Sequence, residues 1–145
     1  MRFFSITLPG FSPNDGRDPS FEIYSPPYVF RNDRPVIQNI PAKAADVARG
    51  QLVTVTTPDA ATIGAGLLVR RTAITHLVDG DQRAVALPIV ARGANWVRVR
   101  VPASAAVVPA GHYMLFIQKT TADGPIPSVS TPLRVMGPIG PCAAG

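Results

Sequence analysis

The sequence is poor in the residues that disulfide frameworks, metal sites and nucleophilic sites need. It contains one cysteine, Cys142, and two histidines, His76 and His112, among 145 residues. A single cysteine cannot form an internal disulfide, and two imidazoles cannot close a zinc site without carboxylates or a partner's ligands. Gly-rich phosphate loops, Gly-x-Ser-x-Gly elbows and Cys-x-x-Cys pairs are also absent. Because Cys142 has no basic residue beside it, nucleophilic catalysis there is not expected.

Long apolar runs and long basic runs are both missing. No window approaches the roughly 20 apolar residues of a membrane span, and the apolar start before Pro9 is too short for a secretory signal. The formal charge is +5, from fourteen basic and nine acidic residues, and the longest basic run is Arg70–Arg71. Basic and aromatic residues are not interleaved as in platforms for single-stranded nucleic acid. We therefore expect no membrane span and no nucleic-acid partner.

Proline and glycine are abundant, and their distribution indicates a β-rich chain. Sixteen prolines and twelve glycines stand between short apolar segments, where they predict turns. Hydrophobic residues make up 46% of the chain and charged residues 16%, which suits a well-buried domain. Few windows have a 3.6-residue period, and proline interrupts most of them, so long helices are not expected. The length suits one domain with a core of its own.

The chain divides by composition into three parts. Residues 1–20 combine a short apolar start, with a predicted strand at 2–8, and a segment dense in turn-forming residues. We interpret this part as an N-terminal arm or assembly segment. Residues 21–136 carry the regularly spaced apolar segments of a folded domain, and residues 137–145 form a short tail that is expected to be flexible.

Short extended segments recur through residues 21–136 at the spacing typical of an immunoglobulin-like sandwich. About seven to nine strands are predicted. Gly64 and Gly66 permit a bulge or the close approach of another strand. The predicted extended segments are 21–30, 34–40, 51–57, 63–76, 82–90, 95–102, 111–119 and 127–135.

The segment NWVRVRVP (95–102) shows the clearest two-faced pattern. Its alternation places three valines on one face and Trp96, Arg98 and Arg100 on the other. The valine face is predicted to pack in the core. The valines are Val97, Val99 and Val101.

The stretch THLVDGDQR (75–83) leaves three roles open for His76: metal ligand, catalytic base or loop residue. A general base needs an orienting acceptor, which Asp79 or Asp81 could supply. Aspartates in a DGD stretch are nevertheless typical of turns, where they hydrogen-bond nearby backbone. Arg83 is expected to pair with Asp81 or to bind a carbonyl. His112 is predicted as a partly exposed residue at the start of a strand.

Several segments together resemble the C-terminal immunoglobulin-like, early set domain of galactose oxidase and glyoxal oxidase, the copper-radical oxidases. The segments occur in the family's order, and the resemblance spans about residues 21–136, essentially the whole predicted sandwich. They are YSPPYVF, RPVI, LVRRTAITHLVDGDQRAVALPI, VPAGHYMLFIQ and IPSVS.

The resemblance implies a copper-related role for His76. In that family a loop of this domain carries a copper-binding histidine within a Thr-His-x-x-Asn-x-Asp-Gln-Arg motif. His76 stands at that position, with Asp79 where asparagine is usual. The resemblance places the other ligands, two tyrosines and a histidine, on a kelch propeller. No propeller is found in this sequence. None of those ligand roles is assigned to Cys142 or to the tyrosines of the chain, which are Tyr24, Tyr28 and Tyr113.

Three hypotheses of function follow. The first is a non-catalytic structural or interaction module of a larger assembly, with contacts through residues 1–20 or through Arg98 and Arg100. The second is a separate subunit of a split copper-radical oxidase, which supplies His76 to a propeller partner. The third is a carbohydrate-binding module built on Trp96 and Tyr113. A protein partner, a second copy or a propeller, is expected in the first two. The chain alone is expected to hold no cofactor and to catalyse no oxidation, and the resemblance favours an extracellular or assembly-surface location.

Overall fold

The computed structural model describes residues 3–6, 21–41, 46–76 and 78–137, in two compact units. The first unit extends from Met1 to Asp33 and the second from Arg34 to Gly145. Most of the predicted arm and tail, with Cys142, lies outside the described residues, and the predicted boundaries at 20 and 136 remain predictions.

The N-terminal unit contains a β-ladder and a short helix. Strand β1 (Phe3–Ile6) pairs antiparallel with β2 (Phe21–Tyr24), and a 3₁₀ helix (Pro27–Phe30) follows. The extended prediction for 21–30 is thus wrong over 27–30. Pro27 has a fixed φ and no N–H, which suits the first turn of a helix, and Val29 N–H closes that turn on the Pro26 carbonyl at 3.0 Å. Among the described residues, no helix is long and apolar enough to cross a membrane.

The second unit is a β-sandwich, which confirms the predicted fold class. The strands of its two sheets are β3 (Asp46–Val47), β4 (Leu52–Thr56), β5 (Ile63–Arg70), β8 (Ala84–Leu87), β9 (Ile89–Arg92), β10 (Trp96–Arg100), β11 (Gly111–Thr121), β12 (Gly124–Pro127) and β13 (Thr131–Val135). The smaller sheet has the order β4-β10-β9, and the larger sheet has the order β3-β13-β11-β5-β8, with β12 paired to β11. The nine strands of these two sheets agree with the seven to nine predicted for the sandwich.

The core lies between the two sheets and follows the alternation of the strands. Val97, Val99 and Val101 are fully buried, as predicted, and Arg98 and Trp96 lie on the outer face of β10. The largest fully buried side chains also include aliphatic residues from both sheets and one tyrosine. They are Ile63, Leu68, Leu87, Leu115, Ile117, Val47, Val53, Val55 and Tyr113.

Two glycines of β5 act as predicted. The register between β5 and β11 shifts opposite Gly64, where a Cβ would overlap the Thr120 side chain. A Cβ at Gly66 would lie 3.1 Å from Val99 and 3.2 Å from Leu87, so the absence of a side chain there lets the sheets approach each other.

Residues 34–40, predicted as a strand, form a single bridge to β4 between Asn39 and Thr56. Pro35 has no N–H to donate, and the Val36 N–H binds the Asp59 carboxylate at 3.0 Å. Only the Gln38 and Asn39 backbone therefore reaches β4. The strand prediction for this segment is wrong because its donors are missing or occupied.

The chain passes from one sheet to the other at Pro88. The segment 82–90, predicted as one strand, is divided there: β8 pairs with β5 in the larger sheet, and β9 pairs with β10 in the smaller one. Beyond the end of β5, the chain forms a separate hairpin of β6 (Ile74–Thr75) and β7 (Val78–Asp79) before it returns to β8.

Candidate functional site

His76 lies in the loop of the β6–β7 hairpin. Ile74 pairs with Asp79 and Thr75 pairs with Val78, which leaves two residues in the loop. His76 is exposed, and its φ of 51° is in the left-handed region, uniquely among the described residues other than glycine. Two-residue hairpin loops favour positive φ, although a left-handed L-residue costs about 1–2 kcal/mol. The fold thus carries this imidazole on a strained turn at the surface.

Exposed aliphatic side chains flank this loop. Ile74 is 70% exposed and Val78 is 61% exposed; with Val129, they are the most exposed large apolar side chains of the described chain. Ile74 and Val78 belong to successive antiparallel pairs, so their side chains point to opposite faces of the hairpin. The hairpin therefore presents apolar surface on both of its faces.

Backbone hydrogen bonds tie the base of the hairpin to the larger sheet on both sides. Arg70 N–H donates to the Arg83 carbonyl at 2.8 Å, on the side of β8. Arg71 N–H donates to the His112 carbonyl at 3.1 Å, on the side of β11. The hairpin thus extends from β5, an interior strand of the sheet, and is anchored at its root.

The Arg83 side chain adds a further connection at this root. Its Nη1 group donates to the carbonyl oxygens of Ala106 and Val107, the latter at 3.0 Å. This confirms one of the two roles predicted for Arg83, that of binding a carbonyl. The guanidinium thereby joins the segment between β7 and β8 to the loop that precedes β11.

Arg70 connects the hairpin with the core. Its Nε forms an ion pair with Asp81, and its guanidinium lies over the Tyr113 ring, 5.6 Å from the ring centre. The fully buried Tyr113 donates its hydroxyl to the Pro109 carbonyl at 2.8 Å and accepts from Arg70 Nη1 at 3.4 Å. A tyrosine at the start of a strand that bonds upstream backbone is the tyrosine corner of immunoglobulin-like domains.

The two aspartates of the motif have different partners. Asp79 Oδ1 accepts the Ala73 N–H at 3.2 Å, and the Asp79 carbonyl accepts the Gln82 N–H at 3.4 Å, as predicted for a turn aspartate. Asp81 pairs with Arg70, where the sequence had suggested Arg83. Both carboxylates therefore hold the shape of the loop.

His112 lies near the same end of the sandwich, exposed at the start of β11, as predicted. The register sets it beside Arg134 of β13, which in turn stands beside Asp46 of β3. Arg134 Nε donates to Asp46 Oδ1 at 2.8 Å, and the second amino group binds the other carboxylate oxygen. The Arg134 hydrogen bonds hold the pKa of Asp46 below its ordinary value of 3.8, against a smaller desolvation effect. An open groove of about 240 Å³ lies over this row.

The sequence of the second unit matches a known family of domains. A family model described as "Galactose oxidase-like, Early set domain" matches residues 34–135. The chain belongs to the galactose oxidase-like early set domain family. The match begins at the residue where the second compact unit of the structure begins.

Relatives of this early set domain are much longer proteins. A curated galactose oxidase of Gibberella zeae is 29% identical over 119 residues, which cover 79% of this chain and 16% of that protein. The solved structure of a fungal alcohol oxidase of the AA5 family, in complex with copper, has 32% identity and a TM-score of 0.68. The similarity covers 81% of this chain and 25% of that one. The early set domain thus spans a quarter or less of these relatives.

Copper is the metal that the family implies, and the described residues do not form a site for it. No group of three or more His, Cys, Asp or Glu side chains in the described part of the chain could hold a metal ion. His76 offers one imidazole, while Asp79 and Asp81 bind the Ala73 N–H and Arg70. A single imidazole is not a tight copper site, so further ligands would have to come from elsewhere.

The aromatic residues considered for carbohydrate binding are poorly placed for it. Tyr113 is fully buried, so its ring cannot form a platform for a sugar. Trp96 is half-buried, with the Arg98 guanidinium 5.1 Å from its ring centre. A Cβ at Gly93 would overlap the Trp96 indole, so the backbone there is also packed against the ring.

The role of Arg70 in connecting the hairpin with the core was not predicted from the sequence. Its contact with Tyr113 joins positions 43 residues apart, and no local motif predicts such a pair. The exposed side chains of Ile74 and Val78 were also missed, since apolar residues in a strand pattern are expected to pack in a core. Their position in a hairpin outside the two sheets is what exposes them.

Proposed function

We propose that this early set domain is a non-catalytic interaction module that docks to a partner by inserting its β6–β7 hairpin. The partner is a separate chain or another part of a longer one. The observation that carries this proposal is the exposure of Ile74 and Val78 on opposite faces of the hairpin. A hairpin that met a flat surface would need only one apolar face. Two apolar faces suit a cleft or channel that surrounds the hairpin.

The contacts at the root of the hairpin favour insertion, because they fix its orientation before binding and so reduce the conformational entropy that is lost on binding. Arg70 and Arg83 join the root to a buried tyrosine and to the carbonyls of the neighbouring loop. A segment whose orientation is already set loses less conformational freedom when it binds. Val107, 45% exposed beside one of those carbonyls, extends the apolar surface at the same end of the sandwich.

Binding to a kelch propeller tests this proposal, because the family resemblance points to a propeller as the partner. We would mix the purified chain with a propeller protein from the same genome and measure the affinity by calorimetry. The double variant Ile74→Ser/Val78→Ser should weaken binding at least about tenfold, since it removes apolar area from the contact. Val129→Ser, at a position 71% exposed and outside the hairpin, is the matched control and should bind as the parent chain does.

Equal binding by the hairpin variant and the control would refute docking through the hairpin. So would unchanged hydrogen exchange at β6 and β7 in a complex that forms by another surface. Circular dichroism of both variants verifies that the sandwich is intact, so that a loss of binding reports on the contact.

A second candidate function is that His76 completes a copper site whose other ligands lie on the partner. Three observations favour it: the position of His76 in the loop of the hairpin, its place in the family motif, and the copper complex of the related fungal alcohol oxidase. The imidazole would serve as one nitrogen ligand for copper. Its loop lies between the apolar side chains that the partner would bury.

Copper titration separates this function from docking alone. The chain by itself should show no tight stoichiometric binding of Cu²⁺, whereas the complex with the partner should bind one equivalent. His76→Asn should abolish that binding and leave docking intact, because asparagine tolerates the left-handed backbone at this position. His112→Asn should change neither copper binding nor docking. Tight binding by the isolated chain, or full binding by the His76→Asn complex, would contradict a ligand role in trans.

A further inference from the structure

The outer face of the smaller sheet carries two arginines, Arg98 and Arg100, that form no ion pair with an acidic residue of the described chain. Arg98 and Arg100 of β10 point away from the core, between β4 and β9. None of these three strands contains an aspartate or a glutamate, and no acidic residue occurs between Gln82 and Ala122. Elsewhere in the described chain, ion pairs with aspartate engage Arg31, Arg70 and Arg134. This face is therefore positively charged.

The Arg98 guanidinium is held in place by two neighbours. It lies over the Trp96 ring at 5.1 Å, and its Nε donates to Thr54 Oγ1 at 3.2 Å. Within the described part of the chain, its two terminal amino groups make no hydrogen bond or ion pair. A planar guanidinium with both of these groups available matches the two oxygens of a carboxylate. Because stacking already orders the side chain, binding would cost less conformational entropy.

Arg100 lies two residues further along the same face. Its side chain has no hydrogen-bond or ion-pair partner among the described residues. Two residues of a β-strand span about 6.8 Å, so the two guanidinium groups repeat at the spacing of alternate side chains on a second extended strand. Leu52, paired with Arg100 and 38% exposed, provides an apolar contact beside them.

We propose that this face, formed by Leu52, Thr54, Trp96, Arg98 and Arg100, binds an acidic polypeptide segment that presents carboxylates on alternate residues. Tryptophan and arginine, together with tyrosine, are enriched among the residues that contribute most binding energy at the centres of protein contacts. A nucleic acid fits less well, because its bases need open aromatic faces on which to stack, whereas the Trp96 ring contacts Arg98 and Gly93. This surface is distinct from the hairpin, so a failure of this proposal would leave docking through the hairpin untouched, and the reverse also holds.

A synthetic peptide of alternating glutamate and threonine, blocked at both ends, is the probe. Titrated into the isotope-labelled full chain to about 10 mM, it should shift the amide signals of β10 and the Trp96 indole signal with a saturable curve. Arg98→Gln/Arg100→Gln should weaken the affinity at least about tenfold. Arg71→Gln removes a charge from an exposed position away from this face and should change the affinity by less than about twofold at physiological salt.

Three further measurements test the chemistry of the contact. Arg98→Lys keeps the charge but loses the planar fork, so its affinity should lie between those of the parent chain and the double variant. The same peptide with glutamine in place of glutamate should not bind. The proposal is overturned by the absence of saturable shifts, by shifts that map to another surface, by full affinity in Arg98→Lys, or by an oligothymidylate that binds this face more tightly than the peptide does.

Discussion

The guanidinium carbon of Arg70 lies 5.6 Å from the centre of the Tyr113 ring. Tyr113 is fully buried, whereas the Arg70 side chain is 18% exposed and also pairs with Asp81. The stack is therefore the place where the core of the sandwich meets the root of the β6–β7 hairpin. A substitution of Tyr113, on the core side of the stack, should therefore change the stability of the sandwich. A substitution of Asp81, on the hairpin side, should change the order of the hairpin.

Tyr113→Phe should destabilise the whole domain. The substitution removes the hydroxyl that donates to the Pro109 carbonyl at 2.8 Å and leaves that carbonyl without this donor. The expected loss is about 1–3 kcal/mol in the free energy of unfolding. Urea denaturation should show a lower midpoint with an unchanged slope. A change within about 0.5 kcal/mol would mean that the tyrosine corner does not stabilise this sandwich.

Asp81→Asn should affect the hairpin more than the sandwich. Asp81 is 41% exposed, so the loss of its ion pair with Arg70 should cost no more than about 1 kcal/mol in global stability. Amide hydrogens of residues 74–79 should nevertheless exchange faster, because the root of the hairpin opens more often. Asp33→Asn removes an exposed ion pair in the N-terminal unit and is the control. Equal exchange in the two variants would show that the pair with Arg70 does not order the hairpin.

Gly93→Ala should destabilise the domain through a steric conflict with Trp96. A Cβ at this position would overlap the indole ring, so the ring or the backbone must move, at a cost of about 1–3 kcal/mol. Trp96 is the single tryptophan of the chain, so its fluorescence reports the displacement directly. At Gly80 a Cβ would meet no atom within 4 Å. Gly80→Ala should therefore leave stability and fluorescence nearly unchanged, and equal effects of the two substitutions would contradict this account of Gly93.

The ion pair of Asp46 with Arg134 should give stability a dependence on acidic pH. The hydrogen-bonded Arg134 lowers the folded-state pKa of Asp46 from its ordinary 3.8, so the pair contributes fully above that value. Its contribution is lost as pH falls through the lowered folded-state pKa. The difference in urea midpoint between the parent chain and Asp46→Asn should therefore shrink as the pH falls from about 5 through 3.8 and below. A difference that stays constant over this range would rule out a pH-dependent contribution from the pair.

Sequence patterns predicted the architecture where the information is local to one strand. The alternation in 95–102 assigned the buried valines and the outward-facing Trp96, Arg98 and Arg100 correctly. The glycines of β5 predicted the bulge and the close approach of the sheets. The several segments that occur in the family's order predicted the family, which the match over 34–135 confirms. A role of His76 toward copper remains a prediction, since one imidazole does not form the site by itself.

Predictions from sequence patterns were wrong where backbone N–H donors or a change of sheet decided the structure. Residues 34–40 have strand-like side chains, but Pro35 has no N–H and that of Val36 binds Asp59. Residues 27–30 close a 3₁₀ turn that the tandem prolines permit, although an extended conformation was expected. The division of 82–90 between two sheets at Pro88 depends on which strands stand beside it. The first and third outcomes follow from hydrogen-bond partners that lie elsewhere in the chain, whereas the 3₁₀ turn is closed locally, by the Val29 N–H on the Pro26 carbonyl.

The sequence by itself determined the two-layered β fold, its family, the faces of its strands and the presence of a histidine in the motif loop, because side-chain alternation and turn residues act over a few positions. The tertiary structure decided which groups hold that loop in place. Asp81 could have paired with Arg83, yet it pairs with Arg70, which the register of β5 against β11 places over Tyr113. Such partners are chosen by strand register across tens of residues. The two apolar faces of the hairpin are exposed because β6 and β7 lie outside both sheets of the sandwich.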